Sequence, residues 1–149
     1  MQVRSVPAVV VLAAAMSLGG CAVGGTQTPA QVDEALSDPI DQAASAVATA
    51  ALTARLLRDD RLTAAAADVA IADALHEVVD ARGSLAMFVP PDAESNDRRT
   101  TASAAVGLAL DAVADARAWV NASSDGPGAA DVVAELTDAA AALDAQAGS

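Results

Sequence analysis

The sequence predicts an all-α protein: an antiparallel four-helix bundle, rich in alanine, preceded by a flexible tether and a short helix. Three observations carry this. Beyond Pro29, apolar residues recur at three- and four-residue steps, the spacing of one helix face. β-Branched residues sit at that same spacing, and no hairpin turn separates alternating runs as strands would need. Alanine, the best helix former, dominates the composition. Such stretches, joined by short connections, pack most simply up and down.

The elements follow in order. Thr28 with Gln31 three residues later makes a capping box, and Pro29 suits the first helical position, so a short helix is expected over Pro29–Leu36. Pro39 should end or bend it. Helix 1 is then expected to begin after Asp38 and run to about Arg58, with Ile40, Ala44, Val47, Ala51, Ala54 and Leu57 inward. Arg55 and Arg58 fall in its last turn, where cations suit the negative end of the helix dipole. Asp59–Leu62 is the expected turn and Thr63 the next cap. Helix 2 starts at Ala64 and reaches at least Arg82, with Ala67, Ile71, Leu75 and Val78 inward and Val79 beside them. Gly83 ends it, or Leu85–Phe88 extends it; Val89-Pro90-Pro91-Asp92 stops it in either case.

Ala93–Asn96 is expected as a loop. Helix 3 runs from near Asp97 to about Ala122, with Val106, Ala109 or Leu110, Val113, Ala116 and Val120 inward and Gly107 permitting close approach. Ser123–Gly128 is the strongest turn signal in the chain. Helix 4 spans Ala129 to about Ala145, with Val132, Leu136, Ala139 or Ala140, and Leu143 inward, and Ala147–Ser149 should fray.

Composition narrows the function. The formal net charge is −12, and all 8 cationic residues are arginine. Arginines scattered among 20 acids form no basic stripe, so nucleic acid is not an expected partner. An apolar content of 54% argues for a folded domain despite the charge. The bias toward alanine, valine, aspartate and arginine points to a GC-rich bacterial genome. One cysteine rules out an internal disulfide and a cysteine-based metal site.

Asp73, His76 and Asp80 share one helix face, with Glu77 beside His76, and could present oxygen and nitrogen ligands together. Bundle metal sites of this kind need a second such motif, and His76 is the chain's one histidine. A solvated face with a local charge pair is the expected reading. A serine hydrolase would need His76 as its base, and no Gly-x-Ser-x-Gly elbow occurs. No enzyme activity, cofactor or metal is therefore expected.

The N-terminus is more specific. Arg4 and the amino terminus precede an apolar run, Val6–Met16, and small residues Ser17, Gly19 and Gly20 precede Cys21. This is the layout of a secretory signal, with an apolar run too short to span a bilayer comfortably. Leu18-Gly19-Gly20-Cys21 resembles the lipobox of bacterial lipoproteins: an aliphatic residue, two small residues, then cysteine. The resemblance implies diacylglycerol on the Cys21 sulfur, cleavage between Gly20 and Cys21, and a lipid anchor at the extracytoplasmic face of the cell membrane. A thiol is the side chain best suited to thioether formation. The expected organisation is a signal peptide over 1–20, a lipidated tether with a short helix over 21–38, and the bundle over 39–149. Most of so acidic a surface is repelled by anionic lipid, which the lipid anchor has to overcome.

An up-and-down bundle places the start of helix 1, the end of helix 2 and the start of helix 3 at the anchored end. Arg82, Arg98 and Arg99 would then face the head groups. Arg55, Arg58, Arg61, Arg117, Trp119 and the Ser123–Gly128 loop would share the distal end. Tryptophan among arginines is the composition of interface hot spots, so these residues are candidate contacts for an envelope protein partner. The competing explanation is structural: the arginines complement helix C-termini, and Trp119 plugs the end of a small-residue core. The expected function is an anchored interaction or accessory module. The alternative is a solute- or lipid-binding lipoprotein with an apolar pocket between helices, although two aromatics leave little to line one.

Overall fold

The structure is a computed structural model that describes residues 27–122 and 128–148. Within them the chain forms four helices: α1 (Pro29–Arg58), α2 (Ala64–Met87), α3 (Ala93–Asn121) and α4 (Ala129–Ala147). No strand occurs among the described residues. Each helix packs on its neighbours in the order α1, α2, α3, α4 and back to α1. α1 and α3 also touch across the diagonal, whereas α2 and α4 do not. The cross-section is therefore a rhombus whose short diagonal joins the two longest helices. Its cause is side-chain size. Ala43, Ala46, Ala50 and Ala54 on α1, with Ala102, Ala105, Ala109, Ala112 and Ala116 on α3, are all buried. Alanine faces let helix axes approach more closely than leucine faces do.

Cross-helix contacts fix the directions. Arg98 Nη1 near the start of α3 lies 2.7 Å from Asp33 Oδ1 near the start of α1, so those two helices run parallel. Arg117 and Asn121 at the end of α3 both reach Asp68 near the start of α2. Gln146 at the end of α4 shares a groove with Leu36, Ile40 and Asp97. α2 and α4 thus run opposite to α1 and α3, and the fold is the expected antiparallel four-helix bundle.

The N-terminal elements differ from expectation. No separate short helix ends near Leu36, and Pro39 does not begin a new one: α1 is continuous over 30 residues with Pro39 inside it. The expected capping box is present, with Gln31 N–H donating to Thr28 Oγ1 at 3.3 Å and Thr28 N–H to Gln31 Oε1 at 2.9 Å. Proline in a helix interior costs about 3 kcal/mol and leaves the carbonyl four residues earlier without its amide donor. Burial on both sides of Pro39 outweighs this. Val32, Leu36, Ile40, Ala43 and Val47 form one buried line through it, and the Pro39 ring is buried too. The inward face of α1 is consequently rotated from the expected stripe, and Ala44, Ala51 and Leu57 are only partly buried.

The α1–α2 turn falls where expected and works without glycine. Asp60 has φ 54°, the left-handed region. Arg61 N–H reaches back to Leu56 O at 2.8 Å, and Asp60 N–H to Leu57 O at 3.1 Å. This is a Schellman stop with aspartate where glycine is usual. Thr63 then caps α2 through Ala66 N–H at 3.3 Å.

α2 takes the longer of its two expected courses, through Gly83 to Met87, because Leu85 and Phe88 are buried in the core. α3 begins one turn earlier than expected. The residues expected as a loop, Ala93–Asn96, are helical, because Asp92 caps them by accepting from Ser95 N–H at 2.7 Å. On α4 the buried set is Val132, Leu136, Ala139 and Leu143; of the two alternatives left by the spacing, Ala139 is the buried one and Ala140 is partly buried. The 123–127 part of the expected turn lies outside the described residues, and Gly128 N–H donates to Asp131 Oδ2 at 3.2 Å.

Candidate functional site

The bundle's two ends carry different chemistry. At the end where α1 and α3 finish, the last turn of α1 presents Arg55 and Arg58, and the turn that follows presents Arg61, all exposed. Arg58 Nε sits 3.0 Å from Asp59 Oδ1. Among the described residues, the side chains of Arg55 and Arg61 have no hydrogen bond or ion pair. Both stand beyond or within the last turn of α1, where free carbonyls attract cations.

Arg117 behaves differently. Its Nε lies 3.3 Å from Asp68 Oδ1, and Asn121 Nδ2 donates to the same oxygen at 2.8 Å. Asn121 also donates to the Arg117 carbonyl at 3.0 Å. Asp68 therefore joins the second turn of α2 to the last turn of α3. Its carboxyl is held below the usual range, first by the bond from Asn121 and then by that from Arg117. The sequence does not single out Asp68, or Asn121 as its partner in this junction. The available signal was Asn121 four residues after Arg117, which puts both on one helix face.

Trp119 is half-buried and packs against the core, as do Leu110 and Val120. The helix directions thus bring Arg55, Arg58, Arg61, Arg117 and Trp119 to one end. Arg117 is engaged in holding α3 to α2, and Trp119 has part of its surface in the core. Arg58 is paired with Asp59, so the exposed cations at this end without an ion-pair partner among the described residues are Arg55 and Arg61.

The Asp73–His76–Asp80 face is solvated. His76 Nε2 lies 3.6 Å from Asp80 Oδ2, and both are largely exposed. Glu77 turns aside to accept a hydrogen bond from Gln42 on α1. Among the described residues no group of three or more histidine, cysteine or acidic side chains converges as metal ligands would.

At the opposite end, Arg98 is taken up by Asp33, and Arg99 donates to Asn96 Oδ1 at 3.1 Å. Of the three arginines expected to face head groups, Arg82 alone has no hydrogen bond or ion pair among the described residues.

Between the helices lie open surface grooves. One, about 470 Å³, runs between α1 and α2 over a floor of Ala46, Ala70 and Ala74, with Gln42, Asp73 and Glu77 on its rim. One of about 250 Å³ between α3 and α4 is lined by the buried Ala112 and Ala139, the exposed Leu108, and the acids Asp111, Asp115, Glu135 and Asp138. Ligand sites are typically concave and mostly apolar with a few polar groups; these grooves are shallow, alanine-floored and rimmed by acids.

Gly20 and Cys21, the expected cleavage and lipidation positions, lie outside the described residues. So do the signal segment 1–20 and the Ala22–Thr26 part of the tether. No helix among the described residues is long and apolar enough to cross a membrane. Comparison with protein-family models, with curated proteins and with solved structures found no match.

Proposed function

We propose that this chain is a lipoprotein, exported by its first 20 residues and held at the outer face of a membrane by diacylglycerol on Cys21, whose acidic bundle serves as an interaction or accessory module of the cell envelope. One observation carries the proposal: Leu18-Gly19-Gly20-Cys21 stands directly after a basic start and an apolar run, with the chain's single cysteine at the one position the pattern requires. Two features of the fold support it. The bundle begins at Pro29, eight residues after Cys21, which leaves a short link between anchor and body. The described helices provide no membrane span of their own, so attachment would fall to the lipid.

A protein partner is proposed at the distal end, around Arg55, Arg58, Arg61 and the exposed part of Trp119. That end lies farthest from the anchor along a helix of 30 residues, about 45 Å. Arg55 and Arg61, set beside Asp59 and Asp60 without ion pairs of their own, favour an acidic group on the partner and fix its orientation.

The experiment is intact-mass measurement on protein from membranes of its own host. The expected species begins at Cys21 and carries diacylglycerol, and Cys21→Ser releases the domain from the membrane fraction. A full-length chain with a free thiol that stays in the soluble fraction would overturn the reading. For the partner, crosslinking in those membranes should capture a neighbour that the double variant Arg55→Ala/Arg61→Ala loses without a change in melting temperature.

A further inference from the structure

We infer that the α2–α3 corner, through Met87 and Val89, rests in the interfacial layer of the bilayer that carries the anchor and so sets the tilt of the bundle; the inference rests on the lipoprotein reading. Met87 and Val89 are the most exposed large apolar side chains among the described residues, at 84% and 74%. They flank Phe88, which is 9% exposed and pins the corner to the core. Val79, 48% exposed, and Gly83, where an added Cβ would meet nothing within 4 Å, precede Met87 at four-residue steps on the same outward edge of α2. An apolar edge thus runs from Val79 to the corner.

Charge singles out the same edge. The chain carries 20 acids, yet none lies between Asp80 and Asp92, where Arg82 is the sole ionised group. Asp38 shares a groove with Met87, and Asp92 and Glu94 share one with Pro91. From Ala81 to Pro91 the edge can therefore approach a bilayer without a carboxylate of its own. At this end Asp33 neutralises Arg98, which leaves Arg82 on the edge itself and Arg99, bonded to the neutral Asn96, as the cations available to head groups.

Position selects the lipid surface as the occupant. Met87 and Phe88 lie level with Ala35–Gln42 of α1, and Pro91 and Asp92 level with Gln27–Asp33. The corner is thus on the flank of the end from which the chain leads to Cys21. Eight residues reach at most about 28 Å even when fully extended, so this end stays near the bilayer. Leaning onto the α2 edge brings Met87 and Val89 to the interface together.

The test uses full-length lipidated protein with Val89→Cys labelled with an environment-sensitive fluorophore, reconstituted in phosphatidylcholine vesicles carrying a nitroxide on the acyl chain. Position 89 is exposed, so the substitution leaves the fold intact, and lipid on Cys21 leaves the new thiol as the one available for labelling. A second protein carries the label at Leu108, on the body. The expected result is a blue shift and loss of most emission at position 89, with position 108 unaffected. Protein that floats with the vesicles while position 89 keeps its aqueous emission would overturn this inference alone. Equal quenching at both positions would mean that the bundle lies flat, and would overturn it as well. Failure to associate with vesicles at all, with Cys21 open to the label, would remove the anchor and this inference with it.

Discussion

Arg98 Nη1 lies 2.7 Å from Asp33 Oδ1, joining the second turn of α3 to the second turn of α1 across 65 residues of sequence. The bond shows that Pro29–Leu36 is part of the bundle and not of the tether. The pair itself is largely exposed, and exposed ion pairs contribute about 0.2–1 kcal/mol; a double-mutant cycle on Asp33 and Arg98 should fall in that range. The burial beneath it counts for more. Leu36→Ala should cost about 2–4 kcal/mol in chemical denaturation, as a core leucine does. A cost near zero would mean that the segment detaches in solution.

Asp60 offers a stabilising change. Its φ of 54° costs an L-residue energy that glycine does not incur. Asp60→Gly should raise stability by about 0.5–1 kcal/mol, visible as a melting-temperature rise of a few degrees. An unchanged or lower value would show that the aspartate side chain makes a compensating contribution in the turn.

The short diagonal predicts that opposite changes of size, one residue shrunk and another enlarged, both destabilise. Ala109 and Leu136 are both fully buried. Leu136→Ala should lose about 2–5 kcal/mol by leaving a cavity. Ala109→Leu adds apolar volume yet should also destabilise, by about 1–3 kcal/mol, because α1 and α3 leave no room between them. If Ala109→Leu were neutral, the alanine seam would be looser than the structure has it.

Two carboxylates contribute to the acid limb of stability. Asp68 is held low by Asn121 and Arg117, and Asp92 by the backbone and side chain of Ser95. A carboxyl whose folded pKa is depressed binds its proton more readily in the unfolded chain. Its contribution is therefore complete above the unfolded value of about 3.9 and is lost as pH falls through the lower folded pKa. Thermal melts from pH 7 to pH 2 should show this loss. Asp68→Asn should be less stable than the parent at pH 7 and should converge with it toward pH 2. Parallel curves at all pH values would show that Asp68 contributes no pH-dependent term. The comparison with the variant separates this effect from the general relief of repulsion when a chain of net charge −12 is protonated.

Much of the fold was legible because alanine, valine and leucine alternate with polar residues at a helix period. Val132, Leu136 and Leu143 on α4 and both ends of the α1–α2 turn were read directly. Pro39 misled because proline is a strong local signal, while the line Val32–Leu36–Ile40 that overrides it acts only once α3 and α4 are present to bury it. The start of α3 was placed late because Asp92 follows two prolines and its cap to Ser95 depends on the corner that Phe88 pins. At the distal end the arginines and Trp119 were legible as residue types. Their different employment was not: Arg117 is tied to Asp68, whereas Arg55 and Arg61 point into solvent.

Helix period, composition and the Leu18–Cys21 pattern are properties of neighbours along the chain, so the sequence by itself determined the all-α class and the antiparallel four-helix bundle, and supplied the candidate anchor. Which residues lie opposite one another is a property of packed helices. The rhombic section, the passage of α1 through Pro39, the Asp68 junction and the apolar corner at Met87 and Val89 were decided by the tertiary structure alone. The physical reason is that burial is collective: a helix face is apolar in sequence, but its free energy depends on what covers it.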